Sequence, residues 1–487
     1  MVPTMGKRRA TLILLLILSF VVVSFLEIRV VKAEPKTIIV PDDYASIQEA
    51  IGNASEGDSL FVKSGTYNEV LLINKSLSLV GENKATTIIN GHNEGPVILI
   101  RQNGVNVTGF TVLNGDSPVS FSRFFPQLTR SAGIHLLHAS HCNIIDNKVE
   151  NSGCGIWFYG SHNNTIIGNK IKQNDYGVRL ESSANNMFRN NTISNSLYNF
   201  YFDEDFVNHV DASNTVDAKP IYYWVNRSNA VVPPDAGYVI LVNCTGITVQ
   251  GLNINNNHRI FLFYTQNSTI VNNRISNSTF AIYLYASSNN KIGENNITNN
   301  EWGGILLISG SSNNYIYGNS VNSVTRNGDG IQIVLSSNEN RIVGNILSHN
   351  AIGVRITSGS ENNSVVGNNI AYNDNGFMAW DSGSVLYNNN FVYNTITISN
   401  HETVNVWDDG IEGNYWSDYE GADNDGDGIG DIPFVIDKNN QDNYPLIEPY
   451  IIPEFPSWTP LVIMLFAVTA VAVIYRRSLP KPALGEG

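Results

Sequence analysis

A chain of 487 residues carries 29 basic against 43 acidic side chains, a net charge of −14. Phosphate binding needs clustered Lys and Arg, so this balance argues against a nucleic-acid partner. The length admits several globular domains, but also one elongated solenoid.

The chain begins with Lys7-Arg8-Arg9, an apolar run from Ala10 to Leu26, and small residues at Val31-Lys32-Ala33. This pattern predicts a secretory signal over residues 1–33, the alternative being an uncleaved anchor. Ser46–Ala54 is the one convincing helix, with Ile47, Ala50 and Ile51 on one face, placed to cap the first turn of a solenoid.

A unit of about 22 residues then recurs, legible at Gly155–Tyr176 and again at Gly177–Tyr198. Asn-x-apolar marks it at Asn147, Asn169, Asn191, Asn273, Asn295, Asn319, Asn345, Asn368 and Asn389. Each unit holds short β runs separated by Asn, Ser and Gly, residues that tolerate left-handed turns. No unit has room for a helix pair. The period predicts an all-β chain folded as a parallel β-helix over residues 34–412, its coils stacked by strand pairing. The recurrent Asn is expected to form a stacked ladder at a turn. Alternation assigns two columns to the core, Ile134-Ile156-Val178-Phe200 and Leu136-Phe158-Leu180-Phe202, continued by Ile260 and Leu262 onward.

The intervening residues are expected to face out, yet many are aromatic. Trp157, Tyr159, Tyr201, Phe261, Phe263, Tyr283 and Tyr285 read as one stripe beside Arg179. Exposed rings in a row mark a binding surface, and flat rings beside charged groups suit a polysaccharide. The alternative buries the stripe beneath a loop. Two stretches break the period and are read as loop insertions: 114–132, with Phe121, Arg123, Phe124, Phe125, Pro126 and Arg130, and 203–239. Glu181, Asp203, Glu204 and Asp205 lie near the stripe and are the weak candidates for catalysis, since paired carboxylates support glycoside hydrolysis.

Two further groups suggest metals. Asp423, Asp425, Asp427 and Asp431, with Gly428 at the sixth place, resemble an extracellular calcium loop, or form only an acidic turn. His138, His141, Cys142 and, one coil on, His162 are ligand types that copper prefers. Three cysteines, Cys142, Cys154 and Cys244, make no disulfide framework; Cys142 and Cys154 pair, or all remain buried thiols.

After an Asp-rich segment at 413–450 and a linker at 451–457, residues 458–475 read as a membrane span, with Arg476-Arg477 holding a cytoplasmic tail, 476–487, inside. The chain would then stand on the extracellular face of the membrane, crossing it once.

Three resemblances add to this reading. Val40-Pro41, Ser46–Ile51, Gly57-Asp58 and Gly65-Thr66-Tyr67 resemble the N-terminal edge of secreted right-handed β-helix proteins such as pectin methylesterases, which implies the right hand. Ala218–Trp224, Ala236-Gly237-Tyr238, Gly413–Tyr419, Asp425–Asp431 and Asp442–Leu446 resemble the NosD family, whose members are described as copper-binding proteins. The tail from Pro453-Glu454-Phe455 resembles the sorting tails of archaeal surface proteins, which implies processing and exchange for a lipid. The functional expectation is a surface-displayed polysaccharide binder. A polysaccharide lyase, hydrolase or epimerase, or a copper-binding maturation protein, is the alternative.

Overall fold

The computed structural model describes residues 34–115, 131–203, 205–256, 258–322, 328–400 and 403–452. The helix Ile47–Asn53 begins at Ser46, whose hydroxyl accepts the Glu49 N–H, and ends at Ala54; Ile47, Ala50 and Ile51 enter the core. The coils follow, each contributing one strand to each of three walls. Every core position named above is buried except Phe202, which is half-buried at the end of its sheet. The register confirms the period: Ile156 pairs with Val178, and Val178 with Phe200.

The expected ladder is present. The Asn169 side-chain oxygen accepts both the backbone N–H and the amide N–H of Asn147, and Asn191 does the same for Asn169. Each amide also donates to a carbonyl of an earlier coil, as Asn169 does to Ile144. Asn214 closes this first run. A second runs from Asn273 to Asn389 and on to Asn414. It ends on Asp442, which accepts the Asn414 N–H at 2.7 Å and the Trp416 indole N–H at 2.8 Å. The Asp-rich segment thus closes the last coil.

The segment 203–239 is not a loop insertion. It contains the strands His209–Val210, Thr215–Val216 and Lys219–Val225. Asp217 and Ala218 both have positive φ, 46° and 64°, and join Val216 to Lys219 in a two-residue hairpin. Such mirror-image turns match the twist of paired strands. Here the chain reverses: Thr215–Val216 and Lys219–Val225 pair antiparallel, whereas every coil-to-coil pairing on either side is parallel.

The reversal has a geometric purpose. The sheet that forms the third wall of the first stack continues without a break as the long-strand wall of the second. Its two faces serve different cores. Ile221, Tyr223, Tyr238, Ile240, Phe261 and Phe263 belong to the first core, and Val239, Leu241, Ile260 and Leu262 to the second. A coil that keeps its hand and its direction of climb, but moves its core across a shared wall, must run the other way along that wall. Tyr238–Val242 is accordingly apolar and buried on both faces.

Cys142, Cys154 and Cys244 are buried thiols rather than a disulfide. Residues 1–33, the stretch 116–130 and the apolar run 458–475 lie outside the described residues. Among the described residues no helix is long and apolar enough to cross a membrane.

Replacing Asn319 by Ala strands the Asn295 N–H and the Ile292 carbonyl in a buried turn. The expected loss is about 1–3 kcal/mol, read as a lower urea midpoint. Asn296→Ala, at an exposed position beside the ladder, should change stability by less than about 0.5 kcal/mol.

Candidate functional site

The first stack stops at the strand Tyr198–Asp203, but the shared wall climbs on. Its first-core face therefore rises past the end of the lower stack and makes a step. Phe206 fills the inner corner, stacked on Phe263 with ring centres 3.9 Å apart, and Phe202 lies 5.9 Å from Phe263. Outside this corner the step opens into a cleft of about 320 Å³. Tyr176, Tyr198, Tyr201 and Asp203 line the lower stack's side; Arg259, Phe261, Phe280, Tyr283, Tyr285 and Trp302 line the wall. The volume lies at the small end of the range for ligand sites.

The rings hold one another in place. Trp302 sits 6.0 Å from both Tyr198 and Phe280, and is 46% exposed. Phe261 meets Tyr283 edge-on at 5.4 Å. Burial pushes the Tyr198 and Tyr201 hydroxyls up from their ordinary value and the Tyr283 hydroxyl up to about 12. At neutral pH all three stay protonated and can donate. The Arg259 guanidinium lies between Tyr198 and Phe261, 5.4 and 5.7 Å from the two ring centres.

The expected single exposed stripe is instead two sets of rings on two sheets. Tyr201, Phe261, Phe263, Tyr283 and Tyr285 do meet at the step. Trp157, Tyr159 and Arg179 do not. Trp157 is 1% exposed, stacked on His135 at 4.0 Å and 8° and covered on its other side by Arg179. Rings in register on adjacent coils stand about one coil spacing, ~4.8 Å, apart, so they stack on each other and exclude solvent. Burial pushes the His135 imidazole down to about 3, with His138 and Arg179 adding to the effect. Arg179 is buried and paired with Glu181, and its guanidinium also lies 4.7 Å from the Tyr201 ring centre. Tyr159 is half-buried against Trp157 and His138.

Of the four candidate carboxylates, only Asp203 lines the cleft among the described residues. Glu181 is turned to Arg179, Asp205 is exposed and does not line the cleft, and Glu204 lies outside the described residues. Asp423, Asp425 and Asp427 bring carboxylate oxygens within 4.8 Å of one another. Asp431 does not join them; it accepts the backbone and side-chain N–H groups of Asn424. Among the described residues no other set of three such donors lies within 4.8 Å of one another, and no three of His138, His141, Cys142 and His162 do so. The Cys142 thiol donates to the Gln102 carbonyl, and burial pushes its pKa up, away from the thiolate that a metal needs. His162 Nδ1 accepts the Ala184 N–H.

Arg259, Trp302, Tyr198 and Phe280 belong to the site but not to the expected set. Arg259 did carry a signal. It occupies the opening position of its repeat, where most coils have Gly, Ala or Asn.

A model of the right-handed β-helix region matches residues 96–321 and again 239–396. The cell surface glycoprotein of Methanothermus fervidus is 30% identical over 130 residues, which are 26% of this chain and 19% of that protein. The match thus spans about a fifth of that relative's length. Among solved structures, the catalytic domain of a GH87 α-1,3-glucanase in complex with nigerose aligns at 15% identity and a TM-score of 0.37, covering 61% of this chain and 66% of that one. The Yersinia enterocolitica family 28 exopolygalacturonase aligns at 11% and 0.33, covering 77% and 79%.

The two tryptophans should behave oppositely. Trp157→Ala removes a buried ring and should cost about 3–5 kcal/mol, seen in the urea midpoint. Trp302→Ala, at the exposed rim, should leave that midpoint within about 0.5 kcal/mol of the parent.

Proposed function

This chain belongs to the right-handed β-helix family, whose model matches it across residues 96–396, and we propose that it is a cell-surface polysaccharide binder whose site is the aromatic step between its two stacks. The carrying observation is the cleft itself: exposed Trp302 beside Tyr198, Phe280 and Tyr283, with protonated hydroxyls at the rim. Apolar ring faces stack on the C–H faces of sugars, and the hydroxyls bond sugar hydroxyls. Both walls of the cleft are rigid sheet, so docking orders little of the protein.

Display on the cell surface is supported by the name of the Methanothermus relative and by the apolar runs at both ends of the sequence. Binding is favoured over hydrolysis because one carboxylate, Asp203, lines the cleft among its described residues. Glycoside hydrolysis ordinarily uses a pair.

Full-length protein tested on a polysaccharide array should retain a subset of glycans. Trp302→Ala and Tyr283→Ala should each weaken that binding by about 1–2 kcal/mol, roughly five- to thirty-fold in Kd. Glycan binding indifferent to both changes would place the site elsewhere. Depolymerisation of a bound glycan, stopped by Asp203→Asn, would make the protein an enzyme.

A further inference from the structure

Arg259 is 7% exposed, and its Nε and Nη2 find no hydrogen-bond partner in the protein. A buried guanidinium without a carboxylate is costly, because its hydration is lost and no charge replaces it. Among the described residues, the other arginine that is buried, Arg179, and the half-buried Arg355 are not treated so. Arg179 is paired with Glu181. Arg355 turns Nε and Nη2 onto the two oxygens of buried Asp329, at 2.7 and 3.2 Å. Arg259 lines the cleft; the lining carboxylate, Asp203, forms no ion pair with it, and the exposed Glu301 acts on its charge without bonding Nε or Nη2.

We infer that Arg259 is a binding residue for the carboxylate of an acidic sugar, so that the ligand is a uronate-bearing polysaccharide. This rests on the proposed glycan site and names its chemical class. The Nε–Nη2 edge is planar and matches the two oxygens of a carboxylate. Tyr198 and Phe261 lie against the guanidinium, 5.4 and 5.7 Å from it. Rings on the lower stack and the wall cover the faces of a sugar whose carboxylate meets Arg259. Asp203, exposed at the rim, accepts hydroxyl protons and stays clear of the carboxylate. The ligand carboxylate then supplies the hydrogen bonds that Nε and Nη2 lack, which makes the acidic group the main source of discrimination against neutral sugars.

The experiment is titration calorimetry of the full chain with oligogalacturonate, its carboxyl-reduced neutral counterpart, and a sulfated dextran oligomer. The parent should bind the uronate most tightly. Arg259→Gln should weaken uronate binding about thirty-fold or more, while changing affinity for the neutral counterpart by less than about three-fold. Arg259→Lys keeps the charge without the fork and should fall between the two. Parent binding to the uronate should also fade below about pH 3.5, where the sugar carboxyl takes up a proton. That profile needs no variant, so it stands if Arg259→Gln fails to fold. Equal affinity for uronate and neutral sugar, insensitive to Arg259, would overturn this inference and leave the binding function intact. Arg259-dependent binding of the sulfated oligomer in preference to the uronate would overturn the carboxylate assignment. No binding of any glycan would overturn both readings.

Discussion

One β-sheet in this protein has a hydrophobic core on each face. A wall that serves two coils of the same hand must reverse its strand direction where ownership changes. The Asp217-Ala218 hairpin performs that reversal within two residues. His258 braces the turn: its Nδ1 bonds the Gly237 carbonyl at 2.9 Å and its Nε2 lies 3.1 Å from the Asp217 carboxylate. Everything downstream follows from this crossing. The second stack is displaced sideways, the shared wall rises beyond the first stack, and a re-entrant step appears. An uninterrupted solenoid presents only convex corners and flat walls.

Away from the crossing the fold is held by repetition. Each regular coil buries about four apolar side chains against its neighbours, as Ile156, Phe158, Ile166 and Ile171 do in one and Val354, Ile356, Val365 and Ile370 in another. At each Asn corner the side-chain amide of one coil bonds the backbone of the coil before it. The Asn satisfies groups that a tight turn would otherwise leave unpaired, at a depth where an unmade hydrogen bond is expensive. The ladder lapses between Asn214 and Asn273, across the crossing, and resumes once the second stack is regular. At the far end Asp442, supplied from outside the repeat, replaces the missing next Asn, while Trp416 stacks between Phe391 and Phe434.

The step also explains the chemistry of the cleft. A wall face built to cover a core is aromatic, and where it outruns that core its rings are left partly open. Phe261 and Phe263 remain buried over Phe202 and Phe206; Tyr283, Tyr285 and Trp302, higher on the wall, border solvent. Arg259 stands at the boundary between the two regimes. It is buried as core residues are, yet it carries a charge that no core residue answers.

The repeat, the inward columns, the Asn ladder and the first helix were legible in the sequence because each depends on contacts one period away. A local pattern repeated in register is enough to specify them. The segment 203–239 reads as a loop in the sequence because its decisive turn is Asp-Ala, not Asn-Gly, and because its strands pair with walls that the period does not predict. Trp157 and Phe261 look alike in the sequence, both outward rings on a long strand. Their fates differ because one is stacked within a single sheet and the other belongs to a wall between two cores. Alternation specifies which side of a strand a residue occupies; only the tertiary structure decides what lies on that side. That is why the coil could be read from residues alone, while the cleft, which exists only where two stacks meet, could not.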